Sequence, residues 1–511
     1  MPMDYRTSAR IAYLSWLATE DSENEQWLRT LRDYAKGDQR VYLTDRQKEF
    51  MGFTARNANF LYSHNLCGLI VDTVVERLKV TGFAADDSAD EAAGKALAKV
   101  AQVWWEANRM DAVQDDLYEA TCRDGDAYMI VDWPLTGLPR WTLNFAYDGT
   151  QGVKMHRDPT TGEAIFASKR WQLYDPLNPR NSGRTRLNLY FPDRIEKYLS
   201  ARDGKGLSGE LGGVQQQTGW EEWRDPGDTA WPIPWVDAAS APLGLPVIAF
   251  RNTGGSEIAD VVSLQDLLNK TDLDLIAGAD TSGFRILYAS GVAADIDATT
   301  GKETAVNISP GQMMRLTDPA ARLGAIEGAD LTRMIETCRY WIECIAALSR
   351  TPQYLLKAIG ADQPSGESLR MQELGLISKC ERKHGIFGNA WEDVVYLSAR
   401  LAATYGSEQY AGRLQAQWKP VGTRDELREA QITQADVAAG MPLVTALRER
   451  GWTQDQIDTL MADKEAEAEA QQATLAVQLL KAQRDFDAGG GAQQQQETGP
   501  ATRQAGGNAR S

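Results

Sequence analysis

Residues 349–370 read SRTPQYLLKAIGADQPSGESLR and separate two long segments of helical pattern. An interior glycine costs a helix about 1 kcal/mol and a proline about 3. Pro352, Gly360, Pro364 and Gly366 therefore end one helix and delay the next. The ends so created leave backbone carbonyls and amides that need other partners. The break is not simply polar, because Tyr354, Leu355, Leu356 and Ile359 surround a single cation, Lys357. An insertion that is apolar, basic and hinged at once has to do something other than meet solvent.

On its N-terminal side, ADLTRMIETCRYWIECIAALS (329–349) puts Leu331, Met334, Ile335, Cys338, Ile342 and Ile345 on one buried helical side. On its C-terminal side, residues 367–404 repeat Leu369, Leu376, Cys380, Phe387, Trp391, Val394 and Leu401. Unbroken, that helix runs about 55 Å at ~1.5 Å per residue, and Gly375, Gly385 and Gly388 permit a bend. Further upstream, Gly254-Gly255 lead into SEIADVVSLQDLLNKTDLDLIAGAD (256–280), with Ser256 as N-cap. Val261, Leu264, Leu268 and Leu275 line one face of it. Between these helices, FRILYASG (284–291) and AVNISPGQMMRLT (305–317) look like strands flanking the turn-rich DIDATTGKE (295–303).

The N-terminal half alternates in kind. Residues 8–35 form a helical arm, and LCGLIVDTVVERLK (66–79) and residues 95–125 are helical. The period then changes to that of strands at 126–133, 140–148, 163–174 and 184–200, with HRDPTTGEA (156–164) as a hairpin connection. Residues 201–246, rich in Gly, Pro, Gln and Trp, read as an exposed excursion. This half is a mixed α+β domain. Shorter helices follow over 423–460 around Gly440-Met441-Pro442, and the Ala/Glu-rich stretch 464–486 is helical. The low-complexity tail from 489 is expected to be disordered.

A chain of 511 residues can hold several domains, and 43% hydrophobic with 24% charged residues is ordinary for a globular protein. Cys67, Cys122, Cys338, Cys344 and Cys380 form no CxxC pair, so a reducing compartment is expected. The opening MPMDYRTSARIAYLSW turns polar too soon for a signal peptide, and no apolar run reaches the ~18 residues of a membrane span. A soluble protein made in the cytoplasm is the expectation. The net charge of −17 disfavours tight nonspecific binding to nucleic acid, which needs clustered Lys and Arg, but leaves room for transient contact at one small basic element.

Enzyme signatures fail on inspection. TTGKET (299–304) has Ile296 where a Walker A loop needs its first glycine, and Glu303 where it needs Ser or Thr. DIDATTG (295–301) has Gly301 one position late for a calcium loop, and Val306 in place of the bidentate Glu. HRDP (156–159) lacks the rest of a kinase set. His64, His156 and His384 have no metal-ligand spacing, and no GxSxG elbow occurs. No catalytic residue, metal or cofactor is expected.

Several blocks, in order, nevertheless carry a resemblance. YAKGDQ (34–39), NLCGLIVDTVVERLKVTGF (65–83), RDGDAYMIVDW (123–133), IAFRNTGGSEIADVVSLQDLLNKTDLD (248–274) and SRTPQYLL…PSGESLRMQELGLISKCERKHGIFGNAWEDVV (349–395) resemble the portal (head-to-tail connector) proteins of tailed bacteriophages. The branch is the one common in actinobacterial phages, and the match spans roughly residues 30–405. The resemblance implies an α+β portal fold with a mixed α/β wing, helical stem, strand-rich clip and helical crown, assembled as a ring of twelve subunits. Mapped onto this chain, the wing is 1–255, with 367–404 as its long helix. Stem helices are 256–282 and 327–348, the clip is 283–326 and the tunnel loop is 349–366. The crown is 405–486, followed by a disordered tail at 487–511.

The resemblance also implies partners: the terminase large subunit, major capsid and scaffolding proteins, head–tail adaptor proteins, and double-stranded DNA passing through the channel, with no membrane. The place implied is one unique capsid vertex of the virion. Gln353, Tyr354 and Lys357 are the candidates for touching DNA in the tunnel. Arg315, Asp318 and Arg322 are the candidates for partner contact in the clip. A minor head or adaptor protein is the alternative, and a DNA-processing nuclease a more distant one, for want of a recognisable carboxylate cluster. Deleting 353–363 is expected to spare the ring and impair packaging.

Overall fold

The computed structural model describes residues 5–18, 22–39, 63–85, 91–134, 137–174, 176, 182–211, 214–282, 286–290, 322–326, 331–356, 366–406, 409–410, 412–422, 434–449 and 454–490. The chain forms two compact units, Met1–Gly422 and Thr423–Ser511.

The first unit opens with helices α1 (Tyr5–Ala18), α2 (Ser22–Lys36) and α3 (Leu66–Val75), then strand β1 (Val80–Ala85) and helices α4 (Glu91–Ala107) and α5 (Met110–Asp124). The arm expected over 8–35 is thus two helices, α1 ending at Ala18 and α2 starting at Ser22. Strands β2 (Asp126–Asp132), β3 (Arg140–Phe145), β4 (Gly152–Arg157), β5 (Ala164–Gln172), β6 (Thr185–Tyr190) and β7 (Arg194–Ser200) follow where the apolar period changes. Short strands β8 (Ser208–Leu211), β9 (Val214–Gln217), β10 (Trp220–Glu222) and β11 (Ile233–Pro234) precede β12 (Val247–Arg251).

Two antiparallel sheets organise these strands. One has the order β12-β2-β3, the other β10-β7-β6-β5-β4 with β11 also paired to β7. The residues 201–246 are therefore not an unpaired excursion: all four of their strands pair, and Trp235 and Leu243 are buried in the main core. Along β6 both faces are covered. Leu187 and Leu189 pack with Tyr198 against Leu14 and Leu17 of α1, while Arg186, Asn188 and Tyr190 alternate to the other side.

Helix α6 (Val262–Ser282) is followed by hairpin strands β13 (Ile286–Ser290) and β14 (Arg322–Ile326), then α7 (Leu331–Ser349), the single turn α8 (Gln353–Leu356) and α9 (Gly366–Tyr405). At ~1.5 Å per residue α9 is about 60 Å long. Of the stripe read from sequence, Leu376, Cys380, Phe387, Trp391, Val394 and Leu401 are all inaccessible, while Leu369 near the start of the helix is half-buried. Trp391 lies 4.9 Å from the rings of both Trp105 and Phe250, and its indole N–H donates to the Tyr118 hydroxyl at 2.8 Å. That bond lets a polar atom sit in the core without cost.

Strand β15 (Leu414–Trp418) pairs antiparallel with β1 and packs on α9, inside the first unit. The sequence mapping had placed these residues in a helical crown. Leu414, Ala416 and Trp418 alternate toward the core, which suits a strand and not a helix. The second unit holds α10 (Leu443–Glu449) and α11 (Gln454–Gly490), with Ala446, Leu447 and Ile457 buried and residues 461–472 exposed.

One tight approach sets the entry to α6. Helix α5 ends at Gly125, whose φ of 98° favours glycine. A Cβ there would stand 3.4 Å from Gly255, because the turn 252–257 lies directly on the helix end. Asn252 N–H donates to the Gly125 carbonyl at 2.8 Å, and Glu257 N–H to the Cys122 carbonyl at 2.8 Å.

Candidate functional site

The paired helices α6 and α7 and the start of the segment between α7 and α9 meet the first unit's core at one junction. Four features build it.

The first is the end of α7. Thr351 N–H donates to the Ala346 carbonyl at 3.0 Å and Arg350 N–H to the Ala347 carbonyl at 3.4 Å, which is the Schellman pattern of helix termination. The residue in the left-handed position is Arg350, at φ 53°, where glycine is usual. A carbonyl at the helix end, that of Ser349, accepts from Lys379 at 2.8 Å, a favourable place for a cation.

The second is a buried clamp. Glu257 pairs with both Lys379 and Lys383 of α9, and Lys383 also donates to the Asn252 side chain. Burial alone would raise the Glu257 pKa. The two ammonium groups outweigh it and hold the carboxyl below its ordinary range. One glutamate thus ties the 252–257 turn to α9 and, through Lys379, to the end of α7. A cavity of about 240 Å³ opens beside it, lined by Gly254, Gly255, Asp260, Arg350 and Arg382.

The third is the hold on α8. Tyr354 donates its hydroxyl to Glu373, which also pairs with Arg77 at 3.3 Å. Burial first, then Glu373, raises the Tyr354 pKa and keeps the hydroxyl a donor. Leu356 is buried and belongs to the main core.

The fourth is a polar spine inside α6. Gln265, Asn269 and Asp272 recur at helical spacing and are buried, in place of a purely apolar stripe. Gln265 donates to the His64 carbonyl at 2.7 Å and accepts from Leu66 N–H at 3.1 Å. Asn269 accepts from His64 N–H at 3.0 Å and from Gln265 at 3.1 Å, and donates to Gln39. Asp272 bonds the His64 ring at 2.9 Å and accepts from the Cys338 thiol of α7 at 3.1 Å. The Asp272 hydrogen bond raises the His64 pKa against the opposing effect of burial. Burial, and then Asp272, push the Cys338 thiol up to about 12. Trp341 of α7 adds a 3.2 Å bond to Thr271 of α6.

This spine joins both helices to the segment before α3. Asn269→Leu removes the acceptor of His64 N–H and the donor to Gln39. Two buried groups left unpaired cost about 1–3 kcal/mol each, and chemical denaturation of the purified chain is expected to show that loss.

The sequence candidates divide. Tyr354 is bonded to Glu373, and Gln353 is half-buried in the same turn. Lys357 lies outside the described residues, as do Arg315 and Asp318. Arg322 is exposed in β14, opposite Ser290 of the hairpin. Ile335, expected on the buried side of α7, is 41% exposed in the single chain. The Glu257 clamp and the Gln265–Asn269–Asp272 spine were not found by sequence reasoning; polar residues at i, i+4, i+7 on an otherwise apolar face were the available signal.

Among the described residues, no group of three His, Cys, Asp or Glu side chains could hold a metal ion. No helix among them is long and apolar enough to cross a membrane.

The family described as "Phage portal protein, SPP1 Gp6-like" matches residues 14–473. The portal protein of Mycobacterium phage D29 is 26% identical over 379 residues, 70% of each chain, and that of Mycobacterium phage L5 is 25% identical over 382 residues, again 70% of each. Among solved structures, a chain from the neck of an empty GTA particle covers 73% of this chain and 85% of its own, with a TM-score of 0.38 and 12% identity. With the family match running from the first helix to the last, this chain belongs to the SPP1 Gp6-like phage portal proteins, structural and non-enzymatic components of the virion.

Proposed function

We propose that twelve copies of this chain close into a ring at one capsid vertex and form the channel through which the genome enters and leaves. The observation that carries this reading is the apolar surface of the paired helices. Leu267 of α6 and Ile335, Tyr340 and Leu348 of α7 are 41–58% exposed in the single chain. These large apolar side chains lie outside the core of the two helices and are available to a neighbouring subunit. A heterologous contact between neighbouring pairs repeats until the rotation closes.

In this reading α6 and α7 are the stem, the hairpin β13–β14 belongs to the clip, and the segment between α8 and α9 is the tunnel loop. Lys357, with Gln353 and Tyr354 at its base, touches the DNA backbone. Residues Arg315, Asp318 and Arg322 of the clip meet the terminase large subunit during filling and adaptor proteins afterwards. Major capsid and scaffolding proteins contact the assembly from the shell side. A strongly basic wall would hold DNA, one charge per ~1.7 Å, rather than let it pass, and the chain's net charge of −17 agrees with transient contacts. In the same reading the energy for filling comes from the terminase.

Gold labelling of a tagged chain in intact virions tests the place. Label at one site per particle, at the vertex within the shell, is expected. Labels below the shell, along the connector or tail, would assign the chain to an adaptor instead.

A further inference from the structure

The six-stranded sheet carries a groove of about 990 Å³ on the face turned away from α1, closed on its far side by β2 and β3. Its floor is set by strand register. Lys169 of β5 lies beside Asn188 of β6, which lies beside Lys197 of β7, so three polar residues cross the sheet in one row. The adjacent row sets Trp171 beside Arg186. Aromatic side chains of Trp133, Trp235 and Tyr405 supply the walls.

The charges in the groove match, with one exception. Arg140 pairs with Asp132 at 2.7 Å. Arg186 grips Asp225 with both terminal nitrogens, at 2.8 and 3.1 Å, and Lys197 bridges Asp225 and Asp228. Lys169 has no carboxylate partner among the described residues; its ammonium stands 5.1 Å over the Trp171 ring. Burial, with Arg140 nearby, lowers its pKa, as expected for a cation lacking a counterion. Two further atoms on the floor are buried without a hydrogen-bond partner: Asn188 Oδ1 and Arg186 Nε. Both residues are more than nine-tenths buried and line the groove.

We propose that this groove binds an extended peptide segment of a partner protein, with an Asp or Glu side chain on Lys169 and an adjacent aromatic or proline residue against Trp171 and Trp133. One uncompensated cation calls for one carboxylate. A nucleic-acid strand fits worse, because Arg140, Arg186 and Lys197 are already paired with Asp132, Asp225 and Asp228, which leaves one cation for a run of phosphates. The groove lies within the first unit, so the inference does not depend on the ring.

The test is selection of a random heptapeptide library on the full-length protein and on its Lys169→Gln variant, which removes the charge from a side chain of the sheet surface. The expected result is enrichment of peptides with Asp or Glu within two positions of an aromatic residue or Pro. Those peptides should bind the variant at least about tenfold more weakly, with the thermal midpoint of the variant unchanged. Absence of enrichment, enrichment without an acidic residue, or equal binding to the variant would overturn the proposal. Displacement of the peptides by a decathymidine strand would move the groove to nucleic acid. Enrichment of sequences matching this chain would make a neighbouring copy the occupant, and the partner-protein assignment would fall.

Discussion

Glu257→Ala is expected to destabilise the first unit by about 3–5 kcal/mol, the usual cost of stranding a buried charge. The substitution strands two: Lys383 is 4% exposed, and Lys379 is held between Glu257 and the Ser349 carbonyl. Glu257→Gln keeps the shape and part of the hydrogen bonding but not the charge, and should fall between the wild type and the alanine variant. The pH dependence has a definite sign. Because the folded Glu257 pKa is lowered, its contribution is complete above the ordinary glutamate range and is lost as pH falls through the folded value. Urea denaturation at neutral and acidic pH should therefore show a large gap between wild type and Glu257→Ala that narrows in acid. A gap independent of pH would mean that packing, and not the ion pairs, accounts for the loss.

Removing residues 358–363 is expected to leave the protein folded and assembled while abolishing packaged DNA. The wider deletion of 353–363 suggested by sequence is less clean. Leu356 belongs to the core and Tyr354 holds Glu373, so deleting them should destabilise the junction as well. Lys357→Ala tests the contact itself and should reduce DNA content without changing particle number. Counting filled and empty particles from cells complemented with each variant reads both effects. Failure of the 358–363 deletion to assemble would make the segment structural rather than a moving contact with DNA.

Much of the helical framework is legible in the sequence. The stripe from Leu376 to Leu401 is long and periodic, and it is the side of α9 that packs into the core. The two helices and the strand at 286–290 were visible for the same reason, whereas its partner at 322–326 was not read as a strand. What stayed hidden depends on partners far away in sequence. LQAQW (414–418) is only five residues long, and it becomes a strand by pairing with β1 more than 300 residues earlier. Trp235 and Leu243 sit among glycines and prolines, where no periodic signal survives, yet they reach the core.

Polar residues were the larger blind spot. A count of apolar spacing sends Gln265, Asn269 and Asp272 to solvent, whereas the fold satisfies each of them from the segment around His64. Such fully bonded networks fix position in a way that apolar contact does not. Ile335 is the opposite case: the apolar spacing of α7 puts it on the buried side, whereas it is 41% exposed in the single chain.

Electron microscopy of the purified full-length protein tests the central claim most directly. Rings with a central hole, resolvable by class averaging into twelve repeats, are the expected result. A strictly monomeric species at every concentration tested would contradict it.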